Sequence, residues 1–267
     1  MENLMKILKC GGAQRMPVII RESDDIKIYA EDIIGDRVCP IFPISSVTEV
    51  GLAKLKLFMG MIKSRVNQIS LFKQLNDKIE FLIDAEFKIT GGVGTVVSGT
   101  LISVTIFRGK ELMIGPDKNG KFINVKIKSI HFKRTEVDEI CRGNSCSLSI
   151  KPLDNKVSIS KGFFRKGMVI LDKMTEGKCV YEFEGEVLIL HHATTIKAKY
   201  QSVIHCGNIR QAATVISINK ELLRTGDKGT MRFRFIQSPE FVHVGCDFLF
   251  REGRTKGLGK ITKLFNE

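Results

Sequence analysis

The hydrophobic period of the chain changes near residue 78. Before that point the spacing is mixed. Leu4, Ile7 and Leu8 share one helical face, and Gly11 and Gly12 stop that helix. Residues 16–20 and 39–44 read as short buried strands. Leu52, Leu55, Met59 and Ile62 recur at steps of three, four and three, which lays one stripe along a helix. Ser46 and Glu49 have capping-box spacing for its start. Strand, loop and helix in that order are how an α/β domain is built. Residues 63–78 are polar and charged without a period, and read as a linker.

From residue 78 the period becomes two. Phe81, Ile83, Ala85, Phe87 and Ile89 alternate with mostly polar neighbours, as a half-buried strand requires. Gly91, Gly92 and Gly94 precede a β-branched run, and Asn119-Gly120 marks a hairpin turn between residues 111–114 and 122–130. Short strands, frequent turns and no helical period predict a closed barrel ending near Leu171. A second β block follows Gly177. Tyr181, Phe183, Val187 and Ile189 line one face of its first strand. Met231, Phe233 and Phe235 line one face of a later strand, with Arg232 and Arg234 on the other. Gly226-Asp227 turns the chain before that strand, and residues 259–265 form the last one. The fold class is therefore mainly β, two consecutive β-barrels preceded by an α/β segment. The domains fall at 1–66, 78–172 and 178–267, with a linker at 67–77.

Composition adds a partner class. The 267 residues carry a net charge of +13, which favours an acidic partner, RNA first. Lys126, Lys128, His131, Lys133 and Arg134 form one basic cluster. Arg251, Arg254, Lys256 and Lys260, with Arg232 and Arg234, form another. No apolar run is long enough for a membrane span, and the first nine residues do not read as a signal peptide, so an intracellular, cytoplasmic protein is expected. The 7 cysteines are scattered and make no C-x-x-C pair, which suits reduced, buried thiols better than a disulfide framework or a zinc site. His205-Cys206 and His191-His192 would complete a metal set only by coincidence of the fold.

Several letter patterns suggest nucleotide chemistry and fail on context. Gly91-Gly92-Val93-Gly94-Thr95 and residues 253–260 run into β-branched or strand-like sequence, not into a helix whose amides could hold phosphate. Asp32-Ile33-Ile34-Gly35 fits D-x-x-G with only two informative letters. Asn219-Lys220-Glu221 lacks the aspartate that would read guanine. No nucleophile motif is present.

Longer stretches are more specific. Gly92-Val93-Gly94-Thr95-Val96-Val97-Ser98-Gly99-Thr100 resembles the opening of the second domain of elongation-factor-Tu-like translational GTPases. Phe250-Arg251-Glu252-Gly253-Arg254-Thr255-Lys256-Gly257 resembles the end of their third domain. Leu190-His191-His192-Ala193-Thr194-Thr195, His205-Cys206-Gly207-Asn208-Ile209-Arg210 and Leu223-Arg224-Thr225-Gly226-Asp227 resemble the eukaryotic group of GTP-binding proteins one and two. The resemblance covers nearly the whole chain. It implies that residues 1–66 are the last part of a P-loop GTPase domain and that both barrels are of the translation-factor type. Ser45, Ser46 and Val47 would lie in the guanine-contacting loop, although Glu49 stands where the family often has glycine. The second domain of such factors receives the aminoacyl end of tRNA, and the third holds the T-stem, with Arg251, Arg254 and Lys256 as basic candidates. The complete family protein uses GTP and Mg. This chain lacks the phosphate loop, switches and N-K-x-D, so no cofactor and no hydrolysis are expected of it alone. The implied partners are tRNA and the ribosome, with no membrane, for a monomer whose GTPase core would be supplied upstream. A stand-alone RNA- or ribosome-binding two-barrel protein without GTPase activity is the alternative.

Overall fold

The computed structural model describes residues 16–32, 38–62, 78–88, 95–154, 159, 163–175 and 177–265. The helix expected at residues 2–9, the linker and the glycines at 91–94 lie outside them. The chain divides into two compact units, Met1–Ser70 and Leu71–Glu267.

In the first unit, β1 (Met16–Ile19) and β2 (Val38–Ile41) pair in parallel. Parallel neighbours need a crossover, and α1 (Asp25–Asp32) lies in the connection between them. Ile26 and Ala30, one helical turn apart, are buried there with Ile20 and Phe58. α2 (Leu52–Met61) departs from the expected stripe. Phe58 is buried and Met59 is 65% exposed. The ring of Phe58 packs on Phe42 with centroids 4.9 Å apart, and Met61 packs into the same cluster. The capping box does not form either. Gly51 is the N-cap at φ 80° with no side-chain cap bond, because residues 45–50 form a turn of their own before the helix starts.

The second unit is two closed six-stranded barrels. The first uses β3 (Glu80–Lys88), β4 (Thr95–Leu101), β6 (Glu111–Gly115), β7 (Ile123–Phe132), β10 (Ser145–Pro152) and β11 (Val169–Asp172). A β7–β10 ladder closes it, β8 (Thr135–Val137) extends β7, and β5 (Ile106–Phe107) pairs with β9 (Glu139–Ile140). Val125 and Ile127 point inward while Lys126 and Lys128 point out, as period two demands. β3 breaks that rule. Asp84 is an extra residue between the pairs Ile83↔Gly99 and Ala85↔Ser98. A bulge of one residue exchanges the two faces of everything after it. Phe81 and Ile83 are therefore buried, but Ala85 is exposed and Phe87 is 51% exposed. The hairpin at Asn119-Gly120 forms between β6 and β7. Asp117 Oδ1 accepts the N–H groups of Asn119 and Lys121, both at 2.8 Å, and Gly120 sits at φ 80°.

The second barrel runs β12 (Glu182–His191), β15 (Lys228–Phe235), β14 (Ile209–Ile218), β13 (Gln201–Cys206), β16 (Asp247–Glu252), β17 (Thr255–Phe265) and back to β12. Its centre is aromatic. Phe233 stacks on Phe183 at 5.2 Å and meets Phe248 and Phe250 at 5.5 and 5.8 Å. Glycines on β17 make room for these rings. A Cβ on Gly257 would lie 2.1 Å from Phe250, and one on Gly259 would lie 2.3 Å from Phe248. Gly257→Ala is therefore expected to destabilise by about 1–3 kcal/mol, the range for overpacked cores. Denaturant unfolding measures it, and adding Phe250→Leu should recover part of the loss. An unchanged midpoint for the single variant would refute this account of the glycine.

A packed seam joins the barrels. Val169 and Leu171 of the first bury Phe241 of the second, and Phe122 meets the Phe241 ring edge-on at 6.4 Å. Around this apolar strip lie polar contacts of high specificity. Arg165 Nη1 donates to both oxygens of Glu240, at 2.7 and 2.8 Å, and Arg165 Nη2 donates to the Pro239 carbonyl at 2.8 Å. Gln211 Nε2 donates to Glu240 as well. Asn208 Nδ2 reaches the carbonyls of Ile83 and Met168 at 3.1 and 2.8 Å. His243 Nε2 lies 3.0 Å from Glu80 Oε2, and the carboxylate raises the imidazole pKa against the opposing effect of burial. No helix among the described residues is long and apolar enough to cross a membrane.

Candidate nucleic-acid interface

Arg251, Arg254 and Lys256 come together at one hairpin tip. β16 and β17 are joined by the two-residue turn Gly253-Arg254, and Arg251 faces Lys256 directly across the ladder. Gly253 takes φ 56°, the first-position geometry that two-residue hairpins of the II′ kind require. All three cations are exposed, and none makes an ion pair among the described residues. The other members of that basic cluster are committed elsewhere. Arg232 and Arg234 clamp Glu182 at 2.5 and 2.6 Å. Burial pushes the Glu182 carboxyl up, but the two guanidiniums outweigh it and hold the group below its usual range. Lys260 lies 3.9 Å from Asp247.

The tip is anchored from beneath. Thr255 is buried, and its hydroxyl meets His192 Nδ1 at 2.7 Å. The His192 ring stands edge-on to Tyr200 at 5.4 Å. Thr225 Oγ1 accepts the His192 N–H at 2.9 Å and donates to its carbonyl at 3.0 Å. Three loops are thus held at one end of the barrel, which adds exposed Arg224 to the cationic surface and places exposed His191 opposite Lys256. The dipeptide His191-His192 carries no metal or nucleophile spacing, so this bracing role is not visible in the local sequence.

A second basic tip lies on the first barrel. Lys133 and Arg134 are the two turn residues between β7 and β8, at φ 50° and 70°. Left-handed backbone is costly for such side chains, of order 1–2 kcal/mol each. The turn nonetheless presents both cations to solvent. Beside them is a groove of about 310 Å³ lined by His131, Ser98, Ser145, Ser147 and Asp84. Lys126 and Lys128 lie on the outer face of the same strand, β7. A larger groove, about 1020 Å³, crosses the outer face of the second barrel. Leu188, Leu258 and Leu249 form its floor on three neighbouring strands. Arg251 and Lys256 stand one outward position further along from Leu249 and Leu258.

Ser45, Ser46 and Val47 belong to the first unit. Ser45 Oγ accepts the Thr48 N–H at 3.2 Å, and the Ser45 N–H donates to the Val50 carbonyl at 3.0 Å. Ser46 and Val47 sit at the tip of this turn, with Val47 90% exposed. Glu49, at φ 57°, occupies a left-handed position that glycine would take without strain.

This chain is 41% identical to GTP-binding protein 1 of Xenopus laevis over 261 residues, 98% of its length. It is homologous to GTP-binding proteins 1 and 2. Identity to GTP-binding protein 2 of Mus musculus and of Homo sapiens is 34%, over 97% of the chain. A weaker match, 22% over 98% of the chain, is to elongation factor 1-alpha of Cenarchaeum symbiosum, of which 67% is covered. No family model matches. The chain spans 38% of the Xenopus protein and 42% of the mouse and human ones. The chain is thus similar to part of proteins named GTP-binding protein 1 and 2 and, more weakly, to elongation factor 1-alpha.

Proposed function

We propose that these residues are the RNA-binding barrels of a GTP-binding, elongation-factor-like protein that engages tRNA at the ribosome. The observation that carries this reading is the hairpin tip. Arg251, Arg254 and Lys256 are exposed, without ion pairs among the described residues, and braced by Thr255, His192 and Tyr200. Mobile surface cations lose side-chain entropy when they bind, whereas a braced backbone holds them ready for phosphate. The Lys133–Arg134 turn and its hydroxyl-lined groove would take a second part of the same RNA, and the seam would keep the two tips in register.

The loop of Ser45, Ser46 and Val47 fits the base-contacting part of a guanine nucleotide site. Its serine hydroxyl orders the turn and its tip is open to approach. Nothing in the sequence fits the phosphate or magnesium part, and we assign no hydrolytic step to these residues.

Filter binding to unfractionated tRNA between about 50 and 200 mM salt tests the reading. Affinity should fall linearly on a log–log plot. Combined Arg251→Ala, Arg254→Ala and Lys256→Ala should weaken binding and reduce that slope by about one for each phosphate no longer neutralised, three in all. A triple variant with the parental slope and affinity would overturn the assignment of the tip.

A further inference from the structure

Two thiols meet inside the second barrel, next to the seam. β13 ends at Cys206, and β16 begins one residue after Cys246. The strands are antiparallel, with Ile204 opposite Phe250 and His205 opposite Leu249. Period two settles which way the neighbours point. Ile204 and Cys206 face inward on β13, as do Phe248 and Phe250 on β16, and Cys246 continues that inward row. The two side chains therefore lie on the same inward row, diagonally across neighbouring strands at the same end of the barrel. Cys206 is buried, while Cys246 is half-buried at the end of an exposed turn and can be reached from solvent.

The surroundings distinguish the two sulfurs. Cys246 closes a turn in which its N–H bonds to the His243 carbonyl at 3.3 Å, and Gly245 sits at φ 90°. The neighbouring Cys206 thiol favours the Cys246 thiolate against the cost of burial, and the backbone and imidazole of His243 add to it and outweigh the Glu80 charge, so the Cys246 thiol is held below its ordinary range. The Cys246 thiol and burial push Cys206 up. Glu80, on the far side of His243, raises the pKa of that imidazole. An accessible thiolate beside a buried thiol is the arrangement of an attacking and a resolving cysteine.

We propose that Cys246 and Cys206 are an oxidisable pair, in which Cys246 reacts with a hydroperoxide and Cys206 resolves the product to a disulfide. With hydrogen peroxide, the Cys246 thiolate attacks one oxygen. An S–O bond forms, the O–O bond breaks, and the departing hydroxide leaves as water with the proton that Cys246 gave up. Cys206 then attacks the sulfenic sulfur. The S–S bond forms, the S–O bond breaks, and the second hydroxide leaves as water with the Cys206 proton. Two thiols lose two electrons, and one peroxide becomes two waters.

The crosslink would act on the seam. Cys206 lies two residues before Asn208, which binds the carbonyls of Ile83 and Met168, and Cys246 lies three after His243, which binds Glu80. Drawing two diagonally placed sulfurs to about 2.05 Å must shift one or both turns. The pair would couple peroxide to the way the barrels are held together.

The test uses the whole chain, reduced and then exposed to a small molar excess of hydrogen peroxide. Remaining thiols are alkylated and the protein is digested without reductant. A peptide linking Cys206 to Cys246 is expected, with exposed Cys141 still alkylated. In Cys206→Ser, dimedone should label Cys246, which reports the sulfenic acid left without its resolving partner. Oxidation that spares the pair while consuming Cys141 would overturn the proposal in the wild-type protein, whatever the variant does. A linked peptide in the wild type with no dimedone label in a folded Cys206→Ser chain would overturn the assignment of Cys246 as the attacking thiol.

Discussion

Arg165→Ala is expected to lower the stability of the two-barrel unit by about 3–5 kcal/mol, a fall in Tm of about 6–20 °C. The size follows from what the substitution leaves behind. Glu240 has a side chain only 1% exposed, and Arg165 supplies its bidentate partner. Removing one member of a buried pair strands the other charge without water. Burial already holds the Glu240 carboxyl above its usual range, opposed by Arg165 and then Gln211, and the variant would raise it further. The sign of the pH dependence is then determined. A carboxyl whose folded pKa is raised stabilises fully only below its unfolded value, about 4.3, and that contribution is lost as pH rises through the folded value. The gap between wild type and variant should therefore be smallest at acid pH and widen toward neutrality. Thermal unfolding of both proteins from about pH 4 to 8 decides it, and a gap that is constant or largest in acid would refute the argument. Pairing Arg165→Met with Glu240→Gln should restore much of the loss, because an uncharged, filled site needs no counter-ion.

Phe233→Ala should cost a similar amount, about 3–5 kcal/mol, through a cavity instead of a charge. Phe233 is fully buried and touches three other rings, all held in place by glycine-lined strands. β17 carries Gly257 and Gly259 against Phe250 and Phe248, so collapse into the void would have to move backbone as well as rings. The loss should therefore be independent of pH and salt, which separates it from the seam variant. Urea denaturation checks it. A loss below about 1 kcal/mol would mean that the barrel relaxes around the hole.

What the sequence made legible, and what it hid, follows from the range of each force. Period two is local, so the inward row Met231, Phe233, Phe235 and its outward arginines could be read directly. That Arg232 and Arg234 neutralise Glu182, some fifty positions earlier, depends on β12 lying beside β15. Two of the six basic residues in that cluster thereby leave the candidate interface, and no run of letters shows it. The bulge at Asp84 hides for a similar reason. An aspartate inside an alternating strand looks like an ordinary outward residue until its partner strand is known to skip it. In α2, periodicity found a helix but chose Met59 over Phe58, because the stripe is one residue wide and only the Phe42 ring decides its phase. In α1 the buried pair Ile26 and Ala30 has helical spacing, but Ile28 on the exposed side blurs the stripe. The basic tip was partly readable. Arg251, Arg254 and Lys256 are near neighbours along the chain, yet the Thr255–His192 and Thr225 contacts that brace them join three distant loops.

The ladder between β12 and β17 sets a schedule for biosynthesis. It pairs Glu182 with Phe265, the first strand of that barrel with its last. A ribosome adding about 5–20 residues per second needs roughly 4–17 s to make the partner that β12 requires. Through that interval β12 has one hydrogen-bonding side unpaired, with Phe183 and Ile189 waiting for a core. Such a strand can recruit another nascent chain of the same kind. Expression yield should therefore depend on how crowded neighbouring ribosomes are on the message, even where the finished protein is stable.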